Sequence, residues 1–178
     1  METRHWVKVW LLACAASTAS AGCSPAIDWR SLRPVGLGLE LTMPCRPASQ
    51  VRPVNLAGRT FEMTLYTCNE MGVTYSLGTF DVADPALVGA MLMLLVKASQ
   101  TNLQAEVISE GGAQVPGMTP HPQARQIHLA GRLPDGRAVS EWLHVFSRGT
   151  RVYQAVVMGG ATVTASAQQF ASGLKVLP

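Results

Sequence analysis

The sequence predicts an α+β domain in which an antiparallel β-sheet of about six to seven strands is flanked by helices on both faces. Three observations predict it. Short segments with every second residue apolar recur along the chain, beginning with Leu37, Leu39, Leu41 and Met43, which is the period of a strand with one buried side. Two stretches, Ala86–Val96 and Ser166–Lys175, have helical character instead. The three long strands near the C-terminus are apolar on both faces, and a sheet with one wet face does not look like that.

Composition frames this reading. The chain has 178 residues, 48% hydrophobic and 14% charged, where about 25% charged is usual. Such a chain is far from the disordered class, and its length suits a single domain over residues 37–178. Removing Glu2, Arg4 and Lys8 with the leader leaves twelve basic and ten acidic residues. That balance is no electrostatic footprint for nucleic acid.

Residues 1–22 read as a signal peptide. Arg4 and Lys8 supply a basic start, and Val9–Gly22 (VWLLACAASTASAG) is uncharged, apolar first and then small. The stretch is too short for a spanning helix, which needs about 20 apolar residues. Ala19-Ser20-Ala21 fits ordinary signal cleavage. Ser20-Ala21-Gly22-Cys23 resembles the lipobox of bacterial lipoproteins, with serine where leucine is usual. Leu11-Leu12-Ala13-Cys14 fits that box better but leaves too little apolar stretch before it.

The exported part holds Cys23, Cys45 and Cys68, and an odd cysteine in an oxidising compartment calls for an explanation. Lipidation of Cys23 and a Cys45–Cys68 disulfide account for all three. By its resemblance to sorted lipoproteins, Ser24 implies the periplasmic face of the outer membrane, with a soluble periplasmic protein as the alternative. The expected partners are then the membrane, through the lipid anchor, and an unknown envelope protein.

Residues 23–36 carry two prolines and read as the lipidated cysteine and a tether. A strand at Leu37–Met43 follows, then a Pro-rich turn with Cys45. A weaker strand near Val51–Leu56 contains Pro53, which argues for an edge position. Strands at Thr60–Thr67 and Val73–Val82 complete a meander. In such a meander Cys68 comes near Cys45, and the bridge stabilises by about 3–4 kcal/mol in the chain-entropy model. Asp84-Pro85 opens a helix as cap and first residue. Its run ALVGAMLMLLV is apolar all round, which marks a core helix.

A strand at Ala105–Glu110 leads into a Gly/Pro loop, residues 111–122. Strands at Arg125–Leu133, Arg137–Ser147 and Arg151–Met158 come next. Pro134-Asp135-Gly136 and Arg148-Gly149-Thr150 both read as three-residue hairpin loops, pairing Leu133 with Arg137 and Ser147 with Arg151. This register puts Ile127, Leu129, Leu143, Val145, Tyr153, Ala155 and Val157 on one face. The other face carries His128, Trp142, His144, Phe146, Val152, Val156 and Met158. The closing helix bears Ala167, Phe170, Ala171 and Leu174 at helical spacing.

In this order the chain resembles the PsbP-like superfamily of α-β-α sandwiches. The features that carry the resemblance are the opening strand and proline turn Gly38-Leu39-Glu40-Leu41-Thr42-Met43-Pro44, the meander and the Asp-Pro helix. The three hairpin strands and a last helix with Phe170 and Leu174 ahead of Leu177 complete it. The Cys45 and Cys68 pair resembles a proteobacterial subset of uncharacterised lipoproteins. The resemblance covers roughly residues 36–178 and implies accessory and binding roles, with no shared catalytic residue.

The chemistry-bearing residues point nowhere sharply. There is no G-x-S-x-G elbow, C-x-x-C or H-E-x-x-H. Gly36-x-Gly38 lacks the third glycine of a dinucleotide fingerprint, and Gly159-Gly160 reads as a plain turn. Glu62, Glu70, Asp81 and Glu141 lie on different elements. His128 and His144 share a face with Trp142 and Phe146, and these four form the possible ligand or interaction face. No cofactor, metal or catalytic residue is expected. The sequence therefore predicts a non-enzymatic envelope lipoprotein, an accessory or protein-binding module presenting the hairpin strands and the 111–122 loop. The alternative is a small-ligand carrier with an apolar cleft lined by Met91, Trp142 and Met158.

Overall fold

A computed structural model describes residues 27–160 and 163–178. The signal segment, both cleavage sites and Cys23 lie outside the described residues. The strands are β1 (Arg30–Leu32), β2 (Leu39–Met43), β3 (Ala48–Leu56), β4 (Arg59–Glu70), β5 (Val73–Asp81), β6 (Glu106–Gly112), β7 (Arg125–Arg132), β8 (Ala138–Arg148), β9 (Arg151–Gly159) and β10 (Lys175–Val176). The helices are α1 (Val88–Leu103), led by a 3-10 turn at Pro85–Leu87, and α2 (Thr164–Ser172).

The fold is mixed α+β, with a seven-stranded antiparallel sheet in the order β3-β4-β5-β9-β8-β7-β6. After β5 the chain runs through α1 to the far edge, lays down β6, and fills inward until β9 closes on β5. A second sheet, β1-β2-β10, is also antiparallel. The sequence placed Leu37–Met43 at the start of the meander, but β2 pairs with β1 and β10 instead. Alternation specifies which side of a strand is buried and leaves its hydrogen-bonding neighbour open. Residues 30–32, read as part of the tether, form the strand that β2 needs on one side.

The two helices serve different faces of the large sheet. On α1, Val88, Met91, Leu92 and Leu95 pack with Met63, Phe80, Leu143, Val145 and Val152. The opposite face joins Tyr75, Leu77, Phe146, Tyr153, Ala155 and Val157 to Leu39, Leu41 and Met43 of β2 and to Ala167 and Phe170 of α2. The second face is thus covered by a helix and a small sheet together. Pro85–Leu103, the 3-10 turn and α1 together, is long and apolar enough to cross a membrane by composition, yet the buried residues of α1 fall on one stripe that packs against strands. Asp84 caps the preceding turn, its carboxylate accepting from the Ala86 N–H at 2.9 Å.

The hairpin registers decide which residues share a face. Between β7 and β8, Arg132 pairs with Ala138 and the Leu133 N–H reaches the Arg137 carbonyl at 2.9 Å, as the three-residue loop predicts. Between β8 and β9, Arg148 pairs with Arg151 and Ser147 with Val152. The expected Ser147–Arg151 pairing is therefore corrected by one residue. Gly149-Thr150 is a two-residue turn, with Gly149 at φ +54, the positive φ that tight hairpin turns demand. A one-residue slip exchanges faces. Hence Val152 and Val156 lie with Leu143 and Val145, while Tyr153, Ala155 and Val157 lie with Phe146.

The Gly/Pro loop is stitched down rather than free. Ala113, Val115 and Ala124 are buried, Thr119 N–H donates to the Ser147 carbonyl at 2.8 Å, and Pro116 accepts from the Val176 N–H at 2.8 Å. Gly117 sits at φ +80, where an added Cβ would stand 2.4 Å from the Val176 carbonyl oxygen. The disulfide joins Cys45 to Cys68 across 5.9 Å between Cα atoms, tying the β2–β3 turn to β4.

Two outcomes follow from these contacts. The Cys45→Ser/Cys68→Ser double variant loses about 3 kcal/mol, read from urea unfolding of the oxidised wild type beside the variant. Gly117→Ala, which meets both a positive φ and a backbone collision, lowers the thermal midpoint, whereas Gly136→Ala, strained in φ but in open space, lowers it less.

Candidate functional site

Strand β8 alternates between the two cores, and this alternation places the four predicted face residues. His128, Trp142, His144 and Phe146 do lie on one side of the sheet, because the β7–β8 register pairs His128 with Trp142 and Gln126 with His144. The His128 and Trp142 rings stack at 4.4 Å with an interplanar angle of 7°. His128 Nε2 lies 2.6 Å from the Ser140 hydroxyl. Phe146 stacks instead on Tyr153 at 5.0 Å. His144 and Phe146 are fully buried and His128 and Trp142 half-buried. Half of the predicted face is therefore core.

The chemistry of these groups is muted. His144 is 5% exposed, and desolvation alone pushes its pKa down to about 4, so it is neutral at physiological pH. Among the described residues no three His, Cys, Asp or Glu side chains gather as a metal site. Glu141 lies between Trp142 and Ser140 in sequence but points to the α1 side, where Ser99 and Gln154 sit. Gln154 Nε2 donates to the Ser99 hydroxyl at 3.3 Å. Burial raises the Glu141 carboxyl pKa, partly offset by the neighbouring Ser99 hydroxyl, and one carboxyl oxygen has no partner. The buried Glu141–Ser99 pair, with the half-buried Gln154 beside it, went unrecognised in the sequence. The signal was a glutamate directly before the run Trp142–Phe146, in phase with the inward residues Leu143 and Val145.

The expected carrier cleft is not built as described. Met91 belongs to the α1 core, and Met158 pairs with Glu141 on that same side, whereas Trp142 packs on the opposite face. The sheet separates them.

Accessible surface concentrates at the rim. The hairpin strands β8 and β9, expected as presenting surfaces, are central in the sheet; the edges are β3 and β6. Every residue of β6 is exposed, including Val107 at 42% and Ile108 at 57%. A bulge interrupts its pairing with β7 between Val107 and Ser109. Near it, a groove of about 350 Å³ lies between α1 and the adjoining ends of β6 and β7, lined by Met93, Val96, Lys97, Gln100, Glu110 and Arg125 among others. Met93 is 51% exposed, and the Arg125–Glu110 ion pair at 2.8 Å crosses from β7 to β6. The other edge, β3, carries Arg52 and Pro53, residues that discourage strand addition.

The pH dependence of stability reports on His144. Its folded pKa is depressed, so the unfolded chain takes up the proton first as pH falls. Its contribution is fully present above about pH 6.5 and is lost between there and about pH 4, roughly 3 kcal/mol in all. Glu141 acts with opposite sign, because a raised carboxyl pKa favours the folded state in acid. Denaturant titrations from pH 7 to pH 4 should therefore show a shallower acid loss in His144→Leu than in wild type. Glu141→Gln should show a steeper one and a higher midpoint at neutral pH.

Among solved structures, the chain is similar to the solution structure of cyanobacterial PsbP (CyanoP) from Synechocystis sp. PCC 6803. Identity is 16% and the TM-score 0.48, over 89% of this chain and 98% of that one. No family model and no curated protein matches the chain. At that distance the likeness carries no statement about what this chain binds.

Proposed function

We propose that this chain is a lipid-anchored protein of the bacterial envelope, of PsbP-like α-β-α type, and that it acts by holding an extended segment of another envelope protein rather than by catalysis. The observation that carries the reading is the open β6 edge beside its groove. An unpaired strand edge offers N–H and C=O groups at the spacing of an extended backbone, and a groove alongside receives every second side chain of the added strand. Val107 and Ile108 on the edge strand and Met93 in the groove supply apolar surface.

The anchor rests on separate observations. The Cys45–Cys68 bridge belongs in an oxidising compartment and leaves Cys23 as the odd exported cysteine, placed in Ser20-Ala21-Gly22-Cys23. On this reading the protein faces the periplasm from the outer membrane.

Two experiments test the two halves. The intact mass of protein extracted from membranes should match a chain that starts at an acylated Cys23. A product starting at Gly22 removes the anchor. Ile108→Lys places a charge on the edge without touching the core, so stability should stay within about 0.5 kcal/mol. Co-purification of the envelope partner should fall at least tenfold. Undiminished co-purification by Ile108→Lys rules out the β6 edge as the binding surface.

A further inference from the structure

We infer that the end of the sheet where β8 turns into β9 holds a phosphodiester-binding site built on Arg148 and Arg151. The two-residue turn sets these arginines directly opposite each other, and like charges so placed repel. Among the described residues the side-chain ion pairs involve Arg30, Arg33, Arg125 and Arg137, and neither of these two. Each is steadied instead by a backbone carbonyl of another segment. Arg151 donates to Gly36, and Arg148 to Gly117 at 3.4 Å. A guanidinium has five N–H donors, so one such bond orients the group and leaves the rest to a ligand.

Space exists on both sides of the pair. A cleft of about 650 Å³ is lined by both arginines with Asp81, Thr119, Gly149 and Thr150. A smaller one of about 200 Å³ lies toward Gly38, Tyr153 and Pro178. The Tyr153 hydroxyl is already committed to the Leu37 carbonyl at 2.7 Å, so in the smaller cleft the side-chain donors on offer are the guanidinium groups.

The donor set selects the ligand. A planar carboxylate matches one guanidinium fork, whereas a phosphodiester, with two anionic and two ester oxygens spread around a tetrahedral centre, can accept from two forks that reach it from different sides. Asp81 pairs with Arg151 across β5 and β9 and accepts from the Ala83 N–H at 2.7 Å. With that carboxylate beside two guanidinium groups, the cleft carries one net positive charge. A singly charged phosphodiester matches it better than a doubly charged monoester. Such a diester comes either from a phospholipid headgroup or from a soluble glycerophosphodiester.

The test follows backbone amides 117–119 and 148–151 of the full chain by NMR during titration. Glycerophosphoglycerol, the soluble diester, should shift them saturably, and acetate should bind at least tenfold more weakly. Arg148→Gln/Arg151→Gln should weaken the diester at least tenfold, and Arg148→Lys, which keeps the charge and loses the fork, should weaken it several-fold. Added salt should weaken binding throughout. Perturbation of the same amides by phosphatidylglycerol vesicles, and not by phosphatidylcholine, assigns the lipid source. A response to the soluble compound alone assigns the other. The site is refuted by absence of saturable binding to the folded wild type, or by full binding in a folded double variant. Tighter binding of inorganic phosphate than of the diester refutes the diester.

Discussion

Both faces of β8 must be kept from water, and that requirement organises the rest of the fold. Leu143 and Val145 look toward α1 while His144 and Phe146 look toward β2 and α2. A strand buried on both sides needs two covering layers; the middle of the chain supplies one, and segments before β3 and after β9 together supply the other. Helix α1 closes one side; the small sheet and α2 close the other. The disulfide and the pinned Gly/Pro loop fix the second of these covers to the large sheet at separate points.

Burying a strand so completely leaves its polar residues in difficult places. His144 is held neutral by desolvation, and Glu141 is left with an unpartnered oxygen. The indole N–H of Trp142 is likewise without a partner. These groups titrate or strain against the core, and their effect is on stability. The half-buried His128–Trp142 stack marks the margin of the second core, where cover by β2 and α2 gives way to the outer strands. Accessible chemistry is displaced outward, to the β6 edge on one side and to the arginine pair at the strand ends.

Much of this was legible in the residues. The two-fold alternation of Leu39, Leu41 and Met43 located a strand, Asp84-Pro85 located a helix start, and Pro134-Asp135-Gly136 fixed one hairpin register. The rest was not, for identifiable reasons. Alternation does not name a strand's neighbour, so β2 was placed in the wrong sheet. Arg148-Gly149-Thr150-Arg151 fits a two-residue or a three-residue loop equally well on sequence. The choice between them exchanges the faces of all of β9. That single slip also hid the opposition of Arg148 and Arg151, since an offset register does not pair them. The open edge at β6 depended on long-range strand order, which local pattern does not encode.

The claim at the centre of this account is that the protein works from its rim and not from the face that the aromatic and histidine residues suggested. A photo-crosslinking residue placed at Ile108 on β6, at Trp142 in the stacked face, and at Arg52 on the β3 edge would test it in intact cells. The account predicts one discrete crosslinked species from position 108 and none from 142 or 52. A discrete species from position 142, with none from 108, would contradict it and return the binding surface to the His128–Trp142 face.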